Sequence, residues 1–221
     1  MNKPAQNIVN KESISIFDRF KIALLLIGIL WVVALIDLIL IDLTPYGLVP
    51  RTFSGLIGII TSPFLHADLN QNASHIINNS LFLLFLLPIT IIIYEKSFTK
   101  VLIFIIVVGG SLVWIFGRYN NHIGASGLVF GLLTFLFFSG IFRRNIKSIV
   151  GSILFLLAYS IIIYGFFPKN LNEVWLVLKS VVSNFISGIA PNQPYISWEG
   201  HLFGAIAGGV AAFIFRNHKE N

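Results

Sequence analysis

The sequence predicts an all-α protein, a polytopic bundle of six transmembrane helices, and three observations carry that prediction. Of 221 residues, 56% are hydrophobic and 11% charged, a balance from which no soluble surface can be built. The charges fall in short polar intervals between long uncharged runs, the pattern of a chain that crosses a bilayer repeatedly. Six of those runs approach the roughly 20 residues that a ~30 Å hydrocarbon core requires of a helix. Disorder and a disulfide scaffold are excluded by the same composition. With no cysteine in the chain, thiolate metal sites and a cysteine nucleophile are excluded too. The net charge of +6 would suggest nucleic acid in a soluble chain, but here the positive-inside rule accounts for it and no nucleic-acid partner is expected.

The predicted spans are Ile22 to Ile41, Ile76 to Tyr94, Val101 to Phe116, Ser126 to Phe142, Ile149 to Phe167 and His201 to Phe215. The first follows a basic start, yet it is too long for a signal peptide, contains Asp37 and lacks a small-x-small cleavage site. Residues 1–21 are therefore expected to form a cytoplasmic segment, residues 22–215 the membrane domain and residues 216–221 a cytoplasmic tail. Orientation follows from the Lys and Arg count. One side holds Lys3, Lys11, Arg19, Lys21, Lys96, Lys100, Arg143, Arg144, Lys147, Arg216 and Lys219, eleven of the fifteen; the other holds Arg51, Arg118, Lys169 and Lys179. This places the chain in the cell membrane as a multi-pass protein with both termini cytoplasmic and the lipid bilayer as its surroundings. Leu171 to Ile189 is largely apolar, but its uncharged runs are too short to span, and it reads as an interfacial or re-entrant helix in the fifth loop.

With that topology the even-numbered spans run from outside to inside, and each begins with a polar group that a lipid-facing helix has no use for. His75 and Asn79 open the second, Ser126 the fourth and His201 the sixth. A serine, two histidines and an asparagine at one depth are the parts of an acyl-transfer site: nucleophile, general base and oxyanion donors. Each has a plainer alternative. Ser126 could be an N-cap or a small-residue packing site, His201 an interfacial histidine wetting its helix end, and His75 with Asn79 a polar pair hydrogen-bonding between helices. Three further features favour the chemistry. A serine at a helix N-terminus lies among backbone N–H groups without intrahelical partners, which can face a developing oxyanion, and Gly124 keeps the approach to that backbone clear. His75 and Asn79, at i and i+4, share a helix face, whereas Asn78 points about 100° away. Gly127 and Gly131 on the fourth span, and Gly204 and Gly208 on the sixth, form two small-residue stripes through which the helices can approach.

The run Gly124-Ala125-Ser126-Gly127-Leu128-Val129-Phe130-Gly131 resembles the serine signature of rhomboid intramembrane proteases. His75-x-x-x-Asn79 resembles their second-helix motif, and His201-x-x-Gly204-x-x-x-Gly208 their last-helix motif. The resemblance runs from about Gly55 to Phe215 in the family's order. It implies an intramembrane serine endopeptidase with a Ser126–His201 dyad and no carboxylate, cleaving transmembrane segments of membrane-protein substrates without metal or cofactor. It also implies that His75 and Asn79 join the Ser126 N–H in holding the oxyanion. Phe130 stands where family members usually carry a tyrosine that stacks on the base; stacking needs the ring alone. The chain departs from the family in lacking a Trp-Arg pair in the first outer loop, in a longer run between His66 and His75, and in a longer fifth loop.

Other polar residues read as structural. His66 and His122 are loop histidines near the site, and His218 faces the wrong side. Glu199 is two residues from His201 and off its face, a partner for the helix dipole rather than a triad member. Asp37 and Asp42 read as snorkelling or accepting interhelical hydrogen bonds. A metalloprotease is disfavoured because no His-Glu-x-x-His occurs. A catalytically silent rhomboid-like protein that binds transmembrane segments is the alternative, although such proteins normally lack the serine or the histidine. A small transporter should show inverted repeats around a charged midplane site, and none is visible.

Overall fold

Ser15 starts the first helix by capping it: its hydroxyl accepts a hydrogen bond from the Asp18 N–H at 3.1 Å, so α1 runs Ile16–Ile39 and begins earlier than the apolar run alone indicates. The computed structural model describes residues 15–66, 69, 73–151, 153, 176, 179, 183, 186–187 and 197–217. Its further helices include a single turn α2 (Gly58–Thr61), then α3 (Ser74–Ile93), α4 (Phe98–Phe116), α5 (Ser126–Phe142) and α6 (Trp198–Ile214), and the backbone is helical at 146–151 and 153 as well. Among the described residues there is no strand. α1, α3 and α4 are long and apolar enough to cross a membrane, whereas α5 and α6 are apolar but have 17 residues each. α5 has the predicted bounds; α6 begins ahead of its predicted start because the Ser197 hydroxyl caps it, accepting from the Gly200 N–H. Most of the predicted fifth span, Ile149 to Phe167, and of the segment Leu171 to Ile189 lies outside the described residues, as does His218.

In a bilayer the outward face of a helix is as apolar as the inward one, so side-chain size rather than polarity decides which face packs. α1 buries the narrow stripe Ala23, Leu30 and Ala34 while exposing Leu24, Leu25, Val32 and Leu35, and Trp31 Nε1 reaches across to donate to Ser80 Oγ on α3 at 3.0 Å. α6 buries Gly204, Ala207, Gly208, Ala211 and Ala212. It packs most extensively against α5 and next against α4. The approach to α5 is so close that a Cβ on Gly204 would fall 2.1 Å from the Gly127 carbonyl oxygen, and one on Gly208 1.9 Å from that of Gly131. Thr134 Oγ1 lies 2.8 Å from the Ala205 carbonyl and donates to it across the same seam.

The starts of α3, α5 and α6 share one end of the bundle with the loop that follows α1. That loop is folded by short 3-10 turns and held to its neighbours by the backbone: Leu48 and His122 exchange N–H···O bonds of 3.0 and 2.9 Å. Arg51 donates to the Ile115 and Gly117 carbonyls at 3.2 and 2.7 Å, satisfying the last turn of α4 with a cation where the helix dipole favours one. Of the two roles expected for Asp37 and Asp42, snorkelling or accepting between helices, the hydrogen bonds they make are local ones. Asp37 Oδ1 accepts from the Leu43 N–H and Asp42 Oδ1 from the Thr44 N–H, because the chain turning out of α1 leaves those donors unpaired. At the opposite end Arg19 pairs with Glu95 at 3.0 Å and Arg143 donates to the Phe215 carbonyl.

Candidate active site

Ser126 is the first residue of α5, and the chain reaches it through Gly124, whose φ of +111° is strained for any residue with a side chain. The turn is anchored by the Gly124 N–H donating to the Ser62 carbonyl at 2.9 Å. His201, in the first turn of α6, faces the serine across the glycine seam, and its Nε2 lies 2.8 Å from Ser126 Oγ. The phenyl ring of Phe130, one turn further along α5, stacks on the His201 imidazole with centroids 4.3 Å apart and planes 5° from parallel. The pair can therefore act chemically as hydroxyl and base, with the imidazole tilt set by the ring beneath it.

His75 and Asn79 arrive from α3. A Cβ on Gly124 would fall 2.6 Å from His75 Cε1 and 3.7 Å from Asn79 Nδ2, so both side chains lie against the backbone that leads into Ser126. Asn78 is exposed, while Asn79 is buried. Beside the serine lies a cavity of about 50 Å3. Ile59, Gly109, Gly110, Val113, Gly127 and Gly204 contribute to its wall, so three helices leave room there through missing side chains.

The two loop histidines read from the sequence as structural are both buried, His66 against this cluster and His122 against the head of α6. His66 Nε2 is 2.9 Å from Asn79 Nδ2 and 3.4 Å from the Ala125 N, and its ring lies 5.2 Å from that of His75. Two donors converge on Nε2, which must then carry the lone pair, with the proton on Nδ1. Burial pushes His66 down to about 4, the neighbouring His75 acting in the same direction against a backbone contact with Phe64, so the ring is neutral near pH 7. His122 Nδ1 lies 2.7 Å from Ser197 Oγ, and burial lowers its pKa as well. Glu199 accepts from the loop ahead of α5. It is 1% exposed and ion-paired with Arg118, a partner that sequence spacing does not reveal. Among the described residues no three His, Asp or Glu side chains group as a metal ion would require.

Residues 54–218 match the family model described as the Rhomboid domain. The chain belongs to the rhomboid family, whose members are in general intramembrane serine proteases and include inactive ones, and it is a membrane protein. It is 33% identical over 195 residues to uncharacterised proteins of Mycobacterium bovis and Mycobacterium tuberculosis, covering 85% of this chain and 71% of each relative. A Mycobacterium leprae protein, also uncharacterised, is 33% identical over 163 residues, 71% of this chain and 55% of the relative.

Proposed function

We propose that this chain is an intramembrane serine endopeptidase that cleaves transmembrane segments of other membrane proteins. The observation that carries the reading is the 2.8 Å contact between Ser126 Oγ and His201 Nε2 across two helices. Six spans with both termini cytoplasmic put the site near the extracytoplasmic surface, where water can reach it. A substrate segment unwinds at Ser126. The Ser126 oxygen attacks the scissile carbonyl carbon while His201 takes its proton, and the oxyanion so formed is held by the Ser126 N–H with His75 and Asn79. His201 then gives the proton to the leaving amine as the C–N bond breaks. Water, deprotonated by the same imidazole, attacks the acyl-enzyme and releases the carboxylate with Ser126 restored. Neither metal nor cofactor enters these steps.

Labelling by a fluorophosphonate, which reacts with activated serines, tests the reading together with cleavage of a model transmembrane substrate in detergent. The protein should label and cleave. Ser126→Ala should express, fold and lose both by several orders of magnitude, and His201→Ala should be nearly as damaging. Full cleavage by Ser126→Ala sinks the protease reading, and an unfolded Ser126→Ala favours a packing role for the serine.

A further inference from the structure

We propose that Arg118 with Glu199, and His122 with Ser197, form a polar staple that fixes the head of α6 against the loop leading into α5 and thereby holds His201 within hydrogen-bonding distance of Ser126. The inference rests on the protease reading above and deepens it by assigning four positioning residues to the dyad.

The staple is built on main chain as well as side chains. Glu199 accepts from the Arg118 backbone N–H at 3.2 Å, from Arg118 Nε and from Nη2 at 3.1 Å. Its carboxylate thus grips the loop itself rather than a flexible side chain alone. His122 Nε2 donates to the Arg118 carbonyl at 3.0 Å. Nδ1 is then the acceptor, and it takes the Ser197 hydroxyl proton at 2.7 Å. The same Ser197 oxygen accepts from the Gly200 N–H at 3.3 Å, one residue before His201. Since His122 is also paired through its backbone with Leu48, the head of α6 is referenced to two loops at once.

The rest of the seam leaves this task undone. Glycine contacts let α5 and α6 approach but offer no knobs to resist sliding or rotation. Stacked rings such as Phe130 and His201 slide in their common plane at little cost. Thr134 pins α6 at Ala205, below the dyad, so the helix head needs a directional contact of its own. A buried carboxylate is a poor way to gain stability, because its desolvation offsets much of the attraction. Fixing a register is the best-attested use of such a pair.

The test uses the full chain in detergent, with Glu199→Gln and the milder Ser197→Ala. Two readouts are taken beside thermal stability: the rate of fluorophosphonate labelling per folded molecule, with kcat and KM on a model substrate, and the Ser126 Oγ to His201 Nε2 distance in a crystal structure of each variant. The expected result is labelling and kcat slowed roughly tenfold to hundredfold at unchanged KM, with the dyad distance opened past about 3.5 Å. Folded variants that keep the wild-type distance overturn the staple, and so does melting of both variants below the assay temperature. A wild-type protein that never labels removes the protease reading, and the distance then decides the staple by itself.

Discussion

The imidazole of His201 and the phenyl ring of Phe130 lie face to face, 4.3 Å between centroids and 5° from parallel. The ring holds the imidazole tilt that points Nε2 at Ser126, so catalysis should depend on the aromatic plane and not on a hydroxyl at this position. Phe130→Leu should lower turnover roughly tenfold with a stability loss of about 1 kcal/mol, whereas Phe130→Tyr should retain far more activity than Leu. Equal losses in Leu and Tyr variants, measured as kcat on a model substrate, would contradict the stacking account.

Gly204 separates packing from chemistry. Its missing Cβ is where the Gly127 carbonyl sits, so Gly204→Leu must push α5 and α6 apart, lowering stability by about 1–3 kcal/mol or more and abolishing turnover with it. Ser126→Ala should lose turnover alone. Thermal melts of the two variants, run beside cleavage assays, check the contrast; a Gly204→Leu protein as stable as wild type would mean that the seam is looser than the geometry indicates.

At Gly124 two costs coincide. Its φ of +111° disfavours any side chain by roughly 1–3 kcal/mol, and a methyl group would strike His75 Cε1 at 2.6 Å. Gly124→Ala should therefore displace His75 and slow acylation even in the fraction that stays folded. Labelling rate per folded molecule is the measurement, and an undiminished rate would separate His75 from the oxyanion role.

His66 makes a pH prediction. In the folded chain its pKa is depressed to about 4, against about 6.5 for an unfolded histidine. Between those values the unfolded chain binds a proton that the native one does not, so stability is lost as pH falls from about 6.5 toward 4, by about 3 kcal/mol in all, and is unaffected by this group above that window. In His66→Gln, where the glutamine can still accept from Asn79 but does not titrate, melting temperatures at pH 7 and 4.5 should lie closer together than in the wild type. An identical gap in both proteins would assign the acid sensitivity elsewhere.

Much of the architecture is legible along the chain because its signals are local. An uncharged run must become a helix once it enters lipid, since its backbone groups have no other partner there; the α5 bounds at Ser126 and Phe142 follow from that and from the glycine turn before it. The glycine pairs at 127 and 131 and at 204 and 208 also show in sequence, because helical periodicity puts each pair on one face. The start of α1 was harder to read. Its first turn is set by the hydrogen bond of Ser15 rather than by hydropathy, so the helix extends into charged sequence at Asp18 and Arg19.

What the sequence by itself determined is the run of apolar helices, their small-residue faces and the placing of Ser126, His201, His75 and Asn79 at helix starts, all consequences of short-range periodicity. What only the tertiary structure decided is which loop residues meet the starts of those helices. His66 against Asn79, Arg118 against Glu199 and His122 against Ser197 are contacts across 13, 81 and 75 residues of chain, made by residues on loops or at helix ends. Loops have no repeat from which a facing partner can be inferred, and a histidine or glutamate in one reads the same whether it meets water or a buried amide. Its partner is fixed when the helices pack and bring the ends of the chain segments together.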